Sequence, residues 1–196
     1  MKAFLIVLGI VTVIFISVQV YFAYAQKGIE RYSYSVEKKY PNFEIRVYEP
    51  TLFSSVKLSD NTYKDASSKG FSILAGYIFG GNDKQEKIAM TSPVSISLED
   101  SMTMMFMVPK EYKQDNLPTP NQSQIQFVEI PEKRMAAIHF GGWANDEKIE
   151  KYKQKLITLL EENGLKYTNK YYFFGYNAPF EVVNRRNEIL VELPTN

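Results

Sequence analysis

The stretch "TSPVSISLEDSMTMMFMVP", residues 91–109, decides the fold because the chain writes it twice. Its "TSPV" at 91–94 answers to "NAPF" at 177–180, an offset of 86. Its "MFMVP" at 105–109 answers to "LVELP" at 190–194, an offset of 85. Upstream, "IRVYEP" ends at Pro50 as "IQFVEIP" ends at Pro131, an offset of 81. A constant order with nearly constant spacing is what a duplicated supersecondary unit gives.

Each copy reads as strands around one helix. "FEIRVYEP" alternates, with Phe43, Ile45 and Val47 on one face, and stops at Pro50. "LFSSVKL" is a second strand. Ser59 or Asp60 can cap a helix whose apolar side is Tyr63, Ala66, Gly70, Phe71, Leu74 and Ile78, a spacing of three and four. "FGGND", residues 79–83, ends it with turn chemistry. "KIAMTSPVSISL" and "MTMMFMVP" follow as two strands around an "EDS" turn. In the second copy, Asn145 or Asp146 caps a helix with inner positions Ile149, Tyr152, Leu156, Leu159 and Leu160, ended by Gly164. The predicted fold class is α+β: a pseudo-two-fold repeat of βαββ units forming an antiparallel, distorted β-barrel flanked by two helices. The surface between the repeats is the default ligand site.

Five of the seven methionines lie between Lys87 and Pro109, at 90, 102, 104, 105 and 107. Thioethers there can fill a core, line an apolar cleft or hold a soft metal. Alternation sends Met105 and Met107 to one face and Met104 and Phe106 to the other.

Composition excludes several chemistries. With no cysteine and one histidine, the 196-residue chain has no disulfide, no thiolate metal site and no site needing two imidazoles. A net charge of +1 with no Lys/Arg run gives no reason to expect nucleic acid. No G-x-S-x-G elbow and no glycosidase-type carboxylate pair is evident, so no catalytic residue is assigned.

The uncharged run "AFLIVLGIVTVIFISVQVYFAYA", residues 3–25, would span about 34 Å as a helix at ~1.5 Å per residue, enough for a ~30 Å hydrocarbon core. It predicts an N-terminal transmembrane helix preceding the barrel, with "AYA" before Gln26 leaving a cleaved signal peptide as the alternative. Residues 1–25 are then the anchor, 26–33 a tether and 34–196 the folded domain, membrane-anchored and extracytoplasmic, periplasmic or at the cell surface.

"YIFGGNDKQEKIAMTSPV" (77–94), "MFMVPKEY" (105–112), "IHFGGWA" (138–144) and "FFGYNAPFEVVNRRNEILV" (173–191) make the chain resemble the SOUL/haem-binding protein family. The resemblance covers the chain from about residue 34 onward. It implies a barrel of two βαββ repeats, similar to gyrase-inhibitor-like effector-binding domains, that binds haem or another porphyrin in a hydrophobic cleft. A tetrapyrrole is the implied small-molecule partner, bound without catalysis. The alternatives are a tetrapyrrole-modifying enzyme such as a haem dechelatase, or an effector-binding domain for another amphipathic molecule. On that reading Phe71, Leu74 and Ile78 line the cleft with Met90 and Met104, and Lys69 and Arg185 are the candidate partners of the propionates. Arg185 or Arg186 can instead pair with Glu181 or Glu188. The hairpin "EDSMTM", where some members carry basic residues, has none. His139 is the one imidazole that could reach an iron axially; as a strand residue it points opposite to Ile138 and Phe140. Gly141 and Gly142 form a bend, with Trp143 expected to close the core.

Overall fold

A computed structural model describes residues 2–25, 28–59, 62–99, 101–178 and 181–194; within the first helix the side chains at 3, 20 and 22–25 are left out as well. The elements are α1 (Lys2–Ala25), β1 (Tyr34–Lys39), β2 (Glu44–Tyr48), β3 (Thr51–Lys57), α2 (Tyr63–Ile78), β4 (Val94–Ser97) and β5 (Thr103–Met107), followed by β6 (Ile125–Ile130), β7 (Lys133–Phe140), α3 (Asp146–Glu162), β8 (Tyr171–Gly175) and β9 (Asn187–Glu192).

The nine strands form one antiparallel sheet in the order β1-β2-β7-β9-β8-β4-β5-β3-β6. Setting β1 aside, the order is symmetric about the β8–β4 seam. There β2, β7, β9 and β8 match β6, β3, β5 and β4, so β2β3α2β4β5 and β6β7α3β8β9 are the two copies. Each copy lends its first strand to the other half: β2 pairs with β7, and β6 with β3. The sheet curls into a half-barrel and does not close, because β1 and β6 remain as edges.

Along the central strands both faces are buried, which explains why β5 and β8 are apolar almost throughout, whereas the edge strands β1 and β6 are largely exposed. On the helix side Phe43, Ile45, Met104, Phe106, Ile138 and Ile189 pack under Leu74, Ile78, Leu156 and Leu160. On the concave side Tyr32, Tyr48, Phe53, Met105, Met107, Phe174 and Leu190 form a second cluster. The alternation expected of "TMMFMV" is present, and packing accounts for Met104, Met105 and Met107. Residues 30–32 strap across this concave face: Tyr32 N–H donates to Ser92 O, and Ser92 N–H to Glu30 O, each at 2.9 Å.

The helices begin and end by local chemistry. Thr62 caps α2, its hydroxyl accepting from Asp65 N–H, one turn later than the Ser59 or Asp60 start expected; Asp60 lies outside the described residues. Asn145 caps α3 by accepting from Lys148 N–H at 2.8 Å. Gly164 at φ +64° ends it, with Leu165 N–H donating back to Leu160 O. Gly70 lets α2 sit tightly on the sheet; a Cβ there would stand 2.9 Å from Leu58 Cδ1 and 3.0 Å from Met104 Cβ.

The expectation of a transmembrane helix is corrected. Among the described residues no helix is long and apolar enough to cross a membrane. The membrane anchor, the membrane as partner and the membrane-anchored location lose their support with it. The "AYA" cleavage reading, at 23–25, lies outside the described side chains.

Candidate functional site

Three surfaces hold the residues singled out from sequence. The first is the outer side of α2. Lys69 is exposed there, on a groove of about 490 Å³ with Asp65, Ser68, Ser72 and Ile73. Phe71 is not on that groove. At ~100° per residue the two side chains point about 160° apart around the helix. Phe71 packs edge-on to Phe106, ring centroids 5.4 Å apart. Leu74, Ile78 and Met104 are core residues between α2 and the sheet, and Met90 is half-buried against the same core. The structure therefore does not gather Lys69, Phe71, Leu74, Ile78, Met90 and Met104 around one opening.

The second surface lies between the starts of α2 and α3. The β7 strand ends at the Gly141–Gly142 bend, with Gly142 at φ +73°, and throws Trp143 outward. Trp143 is 54 % exposed, so the expectation that it closes the core is corrected. Arg185 stacks its guanidinium over the indole at 3.9 Å. Nη1 of Arg185 donates to Ala178 O at 2.8 Å and to Glu181 O at 2.5 Å. Its Nε is buried with no hydrogen-bond partner among the described residues. Burial pushes the Arg185 guanidinium down from its ordinary value, against the carboxylate field of Glu181. Val182 and Val183 lie exposed beside it, and Val182 N–H donates to Gln19 Oε1 of α1 at 3.4 Å. Tyr63, at the start of α2, sits edge-on to Phe173 at 4.9 Å, and its backbone N–H donates to Asp146 at 2.5 Å. An exposed indole and a stacked cation thus meet on one face, and two exposed valines precede that cation in the chain.

The third surface opens on the concave side. Glu188 is fully buried; it accepts from Arg46 at 2.9 Å, from Tyr176 OH at 2.7 Å and from Arg186 at 2.6 and 3.0 Å. Burial alone would raise its carboxyl, but Arg46 and then Arg186 outweigh it and hold it below the usual carboxylate range. Burial also pushes the Tyr48 and Tyr176 phenols well up, with the Glu188 charge adding to it. Of the two pairings open in sequence, Arg186 takes Glu188, whereas Arg185 bonds the Glu181 main chain. Beside this network is a pocket of about 490 Å³ whose wall includes Tyr34, Tyr40, Arg46, His139, Arg186 and Glu188. His139 therefore belongs to this pocket, on the face opposite Phe140. Among the described residues there is no cluster of three or more His, Cys, Asp or Glu able to hold a metal.

Sequence reasoning missed the partnership of Arg46 with Glu188, which joins positions 142 apart. The signal available was an arginine inside an alternating strand, on the side opposite Phe43 and Ile45.

Comparison with known proteins gives one family. The profile described as SOUL heme-binding protein matches residues 29–192. The human protein "Heme-binding protein 2" is 31% identical over 157 residues, which cover 76% of this chain and 76% of that protein. "Heme-binding protein 1" of Xenopus laevis is 29% identical over 161 residues, 78% of this chain and 84% of that one. Among solved structures, the C-terminal domain of EcmrR superposes with a TM-score of 0.62 at 11% identity, covering 83% of this chain and 99% of that domain. A hydrolase from Listeria innocua gives a TM-score of 0.52 at 10% identity, covering 81% and 94%. At such identities these two show a shared fold alone.

Proposed function

The chain belongs to the SOUL heme-binding protein family, and on that premise we propose that it binds haem, or a closely related tetrapyrrole, at the Trp143–Arg185 face without transforming it. The ligand is a flat apolar ring with two carboxylates. It calls for exposed apolar surface beside a cation. The observation that carries the reading is the exposed Trp143 under the Arg185 guanidinium, with the exposed Val182 and Val183 three and two residues before Arg185 in the chain. The orphaned Arg185 Nε supports it, since a buried donor without a partner is costly and a ligand oxygen relieves it. Burying several hundred Å² of apolar surface at ~25 cal/mol per Å² supplies on the order of 10 kcal/mol before association costs. Affinity therefore requires no iron ligand. His139, on the concave pocket, is given no iron in this reading. When bound, haem would supply the iron and its redox chemistry; the chain's own residues bind the ring and orient the carboxylates.

Of the residues expected from sequence, Arg185 enters this site directly. The α2 groove at Lys69 is the other place the same ligand could lie, because it sets a cation beside Ile73 in an opening of about 490 Å³. Haem titration of Val183→Asp and Lys69→Glu distinguishes them. Val183→Asp should weaken binding by about tenfold or more, since it sets a charge against the apolar ring. Lys69→Glu should change it little. The reverse result moves the site to α2. Iron released in proportion to time rather than bound haem would replace simple binding with dechelatase activity.

A further inference from the structure

We propose that the concave-face pocket beside Arg186 is a second binding site, selective for small planar carboxylates. Its volume of about 490 Å³ falls within the ~300–1,000 Å³ usual for small-molecule sites. Its charges are unequal. Lys39, Arg46 and Arg186 bring three cations, and Glu44 and Glu188 two carboxylates, leaving one positive charge over. Both carboxylates are already taken: Glu44 bonds Arg46 at 2.8 Å and faces Lys39 at 3.5 Å, while Glu188 is shared by both arginines. The unmatched cationic character falls to Arg186. Its side chain is 38 % exposed, and its Nη1 makes no hydrogen bond among the described residues.

Arg186 is also held in place before any ligand arrives. Glu188 grips two of its nitrogens, Tyr34 OH accepts at 3.3 Å, and the guanidinium lies over Tyr176 at 4.4 Å. A pre-ordered guanidinium loses little side-chain freedom on meeting an anion, so more of the interaction appears as affinity. The shape of the rest selects for flatness. Tyr40 stacks on Phe43 at 4.2 Å with rings 9° from parallel, and Tyr34 lies under Arg46 at 4.4 Å. A single negative charge on an aromatic or conjugated body matches both the surplus charge and these walls. A cation would meet repulsion, and an uncharged molecule would leave Arg186 unanswered. The site is independent of the Trp143 face, because Arg185 and Arg186 diverge to opposite sides at the start of β9.

The test is calorimetric titration of the full chain with 2-naphthoate and with neutral 2-naphthamide as control. The naphthoate should bind at one site and the amide at least about tenfold more weakly, the loss of one charge-assisted contact. Lys39→Glu, at an exposed rim position, should fold normally and weaken naphthoate several-fold by turning the local surplus negative. Arg186→Gln should remove the binding, with its thermal melt read in parallel. Haem at saturation should leave naphthoate affinity unchanged. Absence of naphthoate binding, equal binding of the amide, or an unchanged affinity in Lys39→Glu overturns the proposal. Displacement of naphthoate by haem also overturns it, by making this pocket the tetrapyrrole site itself.

Discussion

At the scale of single residues, Glu188 sets the electrostatics of the concave face. With none of its side chain exposed, the carboxylate exists only because Arg46 and Arg186 compensate it. Removing one charge from a buried network strands the others, so Glu188→Gln should destabilise the protein by about 3–5 kcal/mol, read by denaturant unfolding at neutral pH. The pH dependence has a definite sign. The folded carboxyl is lower than the unfolded one, so the native state holds fewer protons as the pH enters that range. The stabilisation is complete above the ordinary carboxylate value and is lost as pH falls through the depressed one. Melting temperatures of the wild type should therefore fall more steeply below about pH 4.5 than those of Glu188→Gln. Parallel acid limbs would contradict this. The motif "NRRNEI" made an Arg–Glu pair legible in sequence. Which arginine pairs was not, because the two adjacent side chains separate at the start of a strand. Trp143 was misread for a related reason: the direction of a residue after a Gly–Gly bend is set by the positive φ at Gly142, which residue type alone does not give.

At the scale of elements, helix periodicity was the strongest signal. Tyr63, Ala66, Gly70, Leu74 and Ile78 do face the sheet, and the second helix sits where its spacing placed it. The same signal could not locate a cleft. An apolar helix face looks alike whether it meets the protein or a ligand, and here Leu74 and Ile78 meet the protein. Gly70 is the tightest point of that contact. Gly70→Ala must push Leu58 Cδ1 and Met104 Cβ, the latter held directly by the β5 main chain, or lift α2. It should cost about 1–3 kcal/mol despite alanine's better helix propensity, and lower the melting temperature by about 2–4 °C per kcal/mol. A melt unchanged or raised would mean that α2 rides looser on the sheet than this contact implies. The α2 start shows the usual limit on boundaries: Thr62, Ser59 and Asp60 are all good caps, and only the chain geometry after β3 selects among them.

At the scale of the whole molecule, duplication organises everything. Three proline offsets carried it in the sequence, and the strand order about the β8–β4 seam carries it in space. The exchange of β2 and β6 between halves was not legible, because strand pairing across copies leaves no local pattern. Nor was the filling of the concave face by Tyr32, whose place depends on the strap at residues 30–32. The N-terminal hydrophobic run shows the opposite failure. Hydropathy alone predicted a membrane span, and no helix among the described residues is long and apolar enough to make one. What remains is a family domain whose exposed aromatic face and whose charged concave pocket lie on different sides of one sheet. The central claim is that apolar contact at Trp143, not an iron ligand, holds the tetrapyrrole. Parallel titration of haem and metal-free protoporphyrin into the wild type and Trp143→Ala tests it most directly. The account predicts that the two ligands bind the wild type within about tenfold of each other, a gap of ~1.4 kcal/mol, and that Trp143→Ala weakens both by about tenfold or more. A large preference for haem that survives in a folded Trp143→Ala protein would contradict it.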